Sequence, residues 1–285
     1  MTFALGMLFI SLAIQRGIKP WTGTFYSNLC LGVVWVVIAL VNGEIAPISQ
    51  WPRAAIVGLL FLLGQLLTYM AFRFGDVSVA TPVFGVKILF VAVLSSITGG
   101  SPAPPAIWLS AFAATCGVML VQWRPRNVVQ QHRRHKSTTL TVLLAMAAAL
   151  SLSGFDILLQ NWGVASGTWR FLPIVFVSAA LLNCLLIPWI DRLSTLRELG
   201  GLRPMLIGCL LMAVQAMGMS VTLASFGDAT RVNVVYALRG LWALGLAWWL
   251  AKHFEGGEQY LPRTVMLSRA AGALLLTGAV ILALL

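Results

Sequence analysis

Residues 74–87 read FGDVSVATPVFGVK, and 152 positions later residues 226–239 read FGDATRVNVVYALR. At this offset Phe84 is matched by Tyr236, and Lys87 is matched by Arg239. Apolar matches are common in a hydrophobic chain, whereas a cation repeated inside two apolar segments is not. The two stretches therefore indicate an internal repeat.

The composition is that of a chain solvated by lipid. Of its 285 residues 59% are hydrophobic and only 9% are charged, and the mean hydropathy is +0.91. Soluble domains carry roughly 25% charged residues. The net charge of +11 comes mostly from residues between apolar runs, which is typical of membrane proteins and argues against nucleic-acid binding.

Ten apolar segments, separated by glycine- and proline-rich breaks, predict about ten membrane-spanning helices. The first run, Thr2 to Ile14, lacks a basic leader and a cleavage site, so we expect a short first span rather than a signal peptide. An upstream start would lengthen that span. The predicted spans are 2–17, 21–42, 53–72, 77–98, 105–122, 139–161, 170–190, 204–225, 229–251 and 265–285.

The longest polar stretch, residues 123–138, carries five basic residues and divides the chain. We expect it to link a first five-helix repeat, 1–122, to a second, 139–285. Because five is an odd number, the second repeat enters the membrane with opposite polarity.

The predicted fold is an all-α integral membrane protein with two inverted five-helix repeats, spanning the plasma (cytoplasmic) membrane several times. Loops after odd-numbered spans hold most of the Lys and Arg, which predicts that both termini lie outside.

Lys87 and Arg239 are the strongest candidates for a solute site. Each lies about ten residues into its predicted span, roughly 15 Å from the start and near the middle of the bilayer. A charge there costs about 2.5–3.5 kcal/mol on insertion scales and normally faces a cavity or the bundle interior. Two such cations predict binding of a carboxylate, phosphate or sulfate group.

Other side chains complete the predicted site. Phe84, Tyr236 and Trp242 flank the cations and would contact the ligand or form a packed aromatic stripe. Asp156 is the one acid well inside a predicted span. The charges of Asp156, Lys87 and Arg239 sum to +1. These three residues could bind a ligand or couple transport to protons, or they could form an internal ionic network. Gln65 and Gln215 occupy the third helix of each repeat, as cavity-lining residues or interhelical hydrogen-bonding groups.

Pro82 is the predicted hinge. The cysteines and histidines have no metal-ligand spacing, so no metal or cofactor is expected.

The stretch AFRFGDVSVATPVF, residues 71–84, with Pro82-Val83-Phe84 early in the fourth helix, resembles the EamA-like branch of the drug/metabolite transporter superfamily. This resemblance covers essentially the whole chain. It implies a permease that exports or exchanges solutes through a central cavity lined by both repeats. It also implies cytoplasmic termini, opposite to the charge rule.

Three functions follow as hypotheses. The first is transport of anionic or zwitterionic metabolites by alternating access, with Lys87 and Arg239 as anchors. The second is efflux of cationic drugs, which would depend on Asp156. The third is a non-transporting membrane scaffold or lipid-handling protein. No enzymatic arrangement is recognised. The expected partners are a small-molecule solute and the bilayer, without nucleic acid, and the expected state is a monomer or weak homodimer.

Overall fold

The computed structural model describes residues 2–74, 80, 83–98, 104–122, 138–242 and 263–285. Within these residues every regular element is helical, as the composition predicts. Short 3₁₀ turns cover Ile48–Gln50 and Cys184–Trp189. The α-helices are α1 Thr2–Gln15, α2 Pro20–Asn42, α3 Trp51–Phe74, α4 Lys87–Thr98, α5 Pro105–Gln122, α6 Thr138–Ser166, α7 Thr168–Asn183, α8 Leu193–Glu198, α9 Leu202–Phe226, α10 Ala229–Ala237 and α11 Arg263–Leu284.

Seven stretches of the described residues are long and apolar enough to cross a bilayer. They contain α2, α3, α5, α6, α7, α9 and α11. In hydrocarbon a helix is favoured because it satisfies its own backbone hydrogen bonds. The fold is therefore an all-α, multi-pass membrane fold. The fourth predicted span, 77–98, differs from expectation, since the chain forms a turn at Gly85-Val86 and α4 begins only at Lys87.

The chain forms two compact units. Unit 1 comprises residues 70–153 and 229–285, and unit 2 comprises residues 2–69 and 154–228. Each unit draws helices from both sequence halves. The proposed division into 1–122 and 139–285 concerns repeats rather than compact units, and it stays a prediction.

In unit 1, α5 packs against α11, while α4 contacts α5 and α10. The α5–α11 crossing is close because two glycines face each other. A methyl group built on Gly272 would lie 2.7 Å from the Gly117 carbonyl oxygen. Helices in lipid gain packing energy when small residues let their backbones approach. This crossing supports the buried cluster that includes Ile88, Val234 and Leu276.

In unit 2, α1 packs against α9, and α2 packs against α7 and α9. Aromatic rings fill its interior. Trp35 stacks on Phe176 with ring centroids 5.8 Å apart, and Phe61 contacts Phe176 and Phe155 at 5.3 and 5.0 Å. Large buried rings contribute much of the packing energy available to a helix bundle.

Two ion pairs join the ends of α2 and α7 in unit 2. Before α2, Lys19 Nζ lies 3.4 Å from Asp191 Oδ1, just beyond the 3₁₀ turn that follows α7. After α2, Glu44 Oε2 lies 2.6 Å from Nη2 of Arg170, near the start of α7. The start of each helix is thus tied to the end of the other, so α2 and α7 run antiparallel with one ion pair at each end of the helix pair.

Candidate functional site

The two predicted anchors occupy equivalent backbone positions in unit 1. Val86 N donates to Val83 O at 3.0 Å, and Leu238 N donates to Val235 O at 3.1 Å. These short-range bonds are of the 3₁₀ type and again lie 152 positions apart. Lys87 begins α4 directly after the first turn, and Arg239 follows the second turn, where α10 has ended at Ala237.

Both cations line one cavity of about 50 Å³. Phe84 and Tyr236 line it too, so four predicted site residues converge. The volume exceeds what one water requires but is far below the roughly 300–1,000 Å³ typical of pockets for drug-sized ligands. The cavity can therefore accept one small head group rather than a whole solute. Its remaining lining comes from Gly85, Ile88, Val118, Gln122, Asn233, Ala237 and Gly240.

Tyr236 positions the arginine. The guanidinium carbon of Arg239 lies 4.0 Å from the centroid of the Tyr236 ring. An arginine over an aromatic face gains roughly 0.5–2 kcal/mol, more where water is excluded. The ring thereby helps to position the guanidinium group at the cavity.

Hydrogen bonds fix the backbone around Lys87. The Ser153 hydroxyl on α6 lies 2.8 Å from Ala149 O and 3.1 Å from Lys87 O. A hydroxyl carries one proton, so it donates to one of these carbonyl oxygens at a time. Thr115 Oγ1 on α5 lies 2.9 Å from Ala111 O and 3.3 Å from Gly85 O. The turn that presents Lys87 is thereby tied to the neighbouring helices.

Gln122 is a lining residue that sequence reasoning missed. Its side-chain oxygen is buried and has no hydrogen-bond partner within the described part of the chain. A polar amide in the last turn of the largely apolar helix α5 was the available signal. Asn233 also lines the cavity, and its Nδ2 donates to Ala229 O at 2.9 Å.

The other predicted residues lie elsewhere. Asp156 on α6 is 1% exposed and belongs to unit 2. Gln65 and Gln215 are partly buried and also belong to unit 2. Trp242 is 62% exposed and is not among the residues lining the cavity. The predicted hinge Pro82 lies outside the described residues. The site roles of all these residues stay predictions.

Several apolar helices are long enough to cross a membrane, so the chain belongs to the class of multi-pass α-helical integral membrane proteins. Residues 1–123 match the EamA-like transporter family. This match agrees with the resemblance noted in the sequence, over the first 123 residues, and is consistent with a transporter of the drug/metabolite type. Members of this family are transporters rather than enzymes.

Among the solved structures that are similar to this chain, a protein crystal structure has a TM-score of 0.66. The match covers 99% of this chain and 94% of that one at 16% sequence identity, so it shows a shared fold alone. The curated protein sequences contain no significant match.

Proposed function

We propose that the protein exports or exchanges small anionic or zwitterionic metabolites, with Lys87 and Arg239 binding the anionic group. The observation that carries this proposal is the cavity in unit 1 that both cations line. The cations are partly buried, and a membrane chain keeps such charges where a cavity or an ionic partner offsets their desolvation. A lysine supplies a compact point charge and an arginine supplies a fork of donors, which together suit carboxylate or phosphate.

The proposed architecture has about ten spans in two inverted five-helix repeats. The described helices α1, α4 and α10 fall within the first, fourth and ninth predicted spans and would complete ten with the seven longer ones. Contacts in unit 1 pair the fourth span with the ninth and the fifth with the tenth, and unit 2 pairs the second with the seventh. A pseudo-two-fold axis in the membrane plane would exchange each span with the span five positions later in the chain. The contacts between such spans therefore support the proposed inverted repeat.

Alternating access is the proposed mechanism. Transporters of inverted-repeat architecture commonly bind solute at interrupted helices near the midplane. The equivalent turns at Val83–Val86 and Val235–Leu238 support such a site here. Export and a plasma-membrane location belong to this proposal, whereas efflux of drugs belongs to the alternative.

Ligand-dependent stability and transport test the proposal together. Purified protein would be heated with panels of anionic, zwitterionic and cationic metabolites. A ligand specific for the folded state stabilises it by about 2.7 kcal/mol at a hundred times its dissociation constant. We expect an anionic or zwitterionic class to stabilise the wild type but neither Lys87→Gln nor Arg239→Gln.

The matched control is Arg231→Gln, because Arg231 is an exposed cation on the same helix as Tyr236. It should keep the ligand response and the uptake of that ligand into proteoliposomes. Wild-type uptake by both Lys87→Gln and Arg239→Gln would overturn the proposal.

Asp156 supports the alternative, a proton-coupled exporter of cationic drugs, since a buried carboxylate can exchange a proton for a cation. Drug resistance conferred by the wild type and lost in Asp156→Asn, with no response to anions, would favour this alternative.

A further inference from the structure

A second and larger cavity lies in unit 2, and nothing in the proposed transport mechanism uses it. Its volume is about 570 Å³, within the range of ligand pockets. The end of α2, the start of α7 and Met217 on α9 form its walls. We call it the α2–α7 groove, and its lining residues are Val37, Ile38, Val41, Asn42, Glu44, Trp169, Arg170 and Met217.

The groove is placed at the edge of the hydrocarbon layer. Val37 to Asn42 are the last residues of α2 and span about 7.5 Å along its axis. Val41 is 80% exposed, which on a membrane-spanning helix means contact with lipid chains. Trp169 near the start of α7 packs against Trp35 with ring centroids 6.1 Å apart, and tryptophan marks the interfacial depth of a bilayer.

An ion pair with unused hydrogen-bonding capacity lies at the mouth of the groove. Both Nε and Nη2 of Arg170 contact the same oxygen, Oε2 of Glu44, at 2.7 and 2.6 Å. Within the described residues, Nη1 of Arg170 and Oε1 of Glu44 have no partner. The side chains are 53% and 60% exposed, so both groups can reach a ligand at the membrane surface.

The backbone around this pair is well organised. Gly43 takes the left-handed conformation that ends α2, with φ 68°. Ala46 N then donates to Arg170 O at 3.2 Å, and Trp51 Nε1 donates to Ala46 O at 3.1 Å. The loop after α2 is thereby bonded to the start of α7, which fixes Glu44 beside Arg170.

We propose that the α2–α7 groove binds a phospholipid whose head group carries a primary ammonium, the chemistry of phosphatidylethanolamine. The phosphate accepts from Nη1 of Arg170, and the ammonium donates to Oε1 of Glu44. The acyl chains lie along Val37 and Val41. A choline head group lacks the N–H donors, and a glycerol head group lacks the cation, so both bind more weakly.

The Lys19–Asp191 pair at the opposite face provides a matched control. Asp191 Oδ2 already accepts from Lys19 N at 2.7 Å and from Thr22 Oγ1 at 3.0 Å. Neither Lys19 nor Asp191 lines the groove or the cavity in unit 1. Lys19→Gln therefore removes an interfacial ion pair from the same two helices without altering the groove.

The experiment measures thermal unfolding and native mass spectra of the detergent-solubilised protein with dioleoyl-phosphatidylethanolamine, -phosphatidylcholine or -phosphatidylglycerol. The ethanolamine lipid should stabilise the wild type and Lys19→Gln at the lowest concentration. Arg170→Gln and Glu44→Gln should need about tenfold more of it, because each loses a charge-assisted hydrogen bond. Val41→Trp, at an exposed position that leaves the core intact, should fill the groove and weaken binding similarly.

Equal responses to the three lipids, or equal losses in Lys19→Gln and Arg170→Gln, would overturn the proposal. So would an unchanged response in Val41→Trp if the charge variants fail to fold. Stabilisation by soluble phosphoethanolamine without acyl chains would indicate a solute site instead, and wild-type dimers without bound lipid would indicate contact between copies. Lys87→Gln should bind the lipid normally, so the outcome is independent of the transport proposal.

Discussion

Unit 1 and unit 2 hold their charged side chains in different ways. In unit 1, Lys87 and Arg239 line a narrow cavity next to interrupted helices. In unit 2, the cations Lys19 and Arg170 lie at helix ends, each within 4 Å of a carboxylate. A charge at a helix end can reach water or head groups, whereas a charge inside the bundle requires a cavity. The comparison teaches that position along the predicted membrane span, more than residue type, separates charges that hold helices together from charges suited to a ligand.

The largest expected effect is on the packing of unit 1. Gly117→Leu places a side chain against the Gly272 carbonyl and Leu276, and we expect a loss of about 3 kcal/mol in the free energy of unfolding. Gly278→Leu on α11 is the control, because nothing lies within 4 Å of a Cβ built there. Thermal unfolding in detergent measures both variants. Equal unfolding midpoints for the two variants would mean that α5 and α11 can move apart without loss of stability.

The next effect concerns the more buried ion pair of unit 2. The side chain of Asp191 is 9% exposed. Asp191→Ala leaves the Lys19 amide and the Thr22 hydroxyl without their acceptor, so we expect a loss of about 2 kcal/mol. Asp191→Asn, which keeps an acceptor oxygen, should lose less. Equilibrium unfolding gives the difference, and anion binding in unit 1 should not change in either variant.

A smaller effect should follow from changing the aromatic partner of Arg239. Tyr236→Leu removes the ring, and we expect anion affinity to fall about fivefold, equivalent to roughly 1 kcal/mol. Tyr236→Phe keeps the ring face and should retain most of the affinity. Titration of the stabilising anion identified by the metabolite panel measures both. A larger loss in Tyr236→Phe than in Tyr236→Leu would contradict the cation–π interpretation and indicate a role for the hydroxyl.

The smallest effect is expected at the exposed ion pair. Glu44→Gln should change the stability of the lipid-free protein by less than about 1 kcal/mol, because exposed pairs are screened by solvent and salt. The test compares unfolding at low and high ionic strength. A salt-independent loss as large as that of Asp191→Ala would show that this pair is as strongly coupled to the fold as its counterpart.

Part of the candidate site was predictable from its residues. The offset of 152 paired Lys87 with Arg239 and Phe84 with Tyr236, and all four line one cavity. The turn after Val83 was not predicted. Pro82 aligns with Val234 at the same offset, and the residues that follow these two positions form the same short-range hydrogen bond. Gln122 was missed because an isolated polar residue at a helix end carries little signal by itself.

The sequence by itself determined the membrane class, the approximate limits of the apolar helices and the equivalence of the two cations. These properties are local, since hydrophobicity accumulates over about 20 consecutive residues and a repeated charge is visible at a fixed offset. Only the tertiary structure decided that Lys87 and Arg239 share a cavity with Gln122, and that Glu44 meets Arg170 at the mouth of a groove. Those neighbours depend on the rotation of each helix about its axis, which close contacts such as Gly117 against Gly272 set and the sequence does not display.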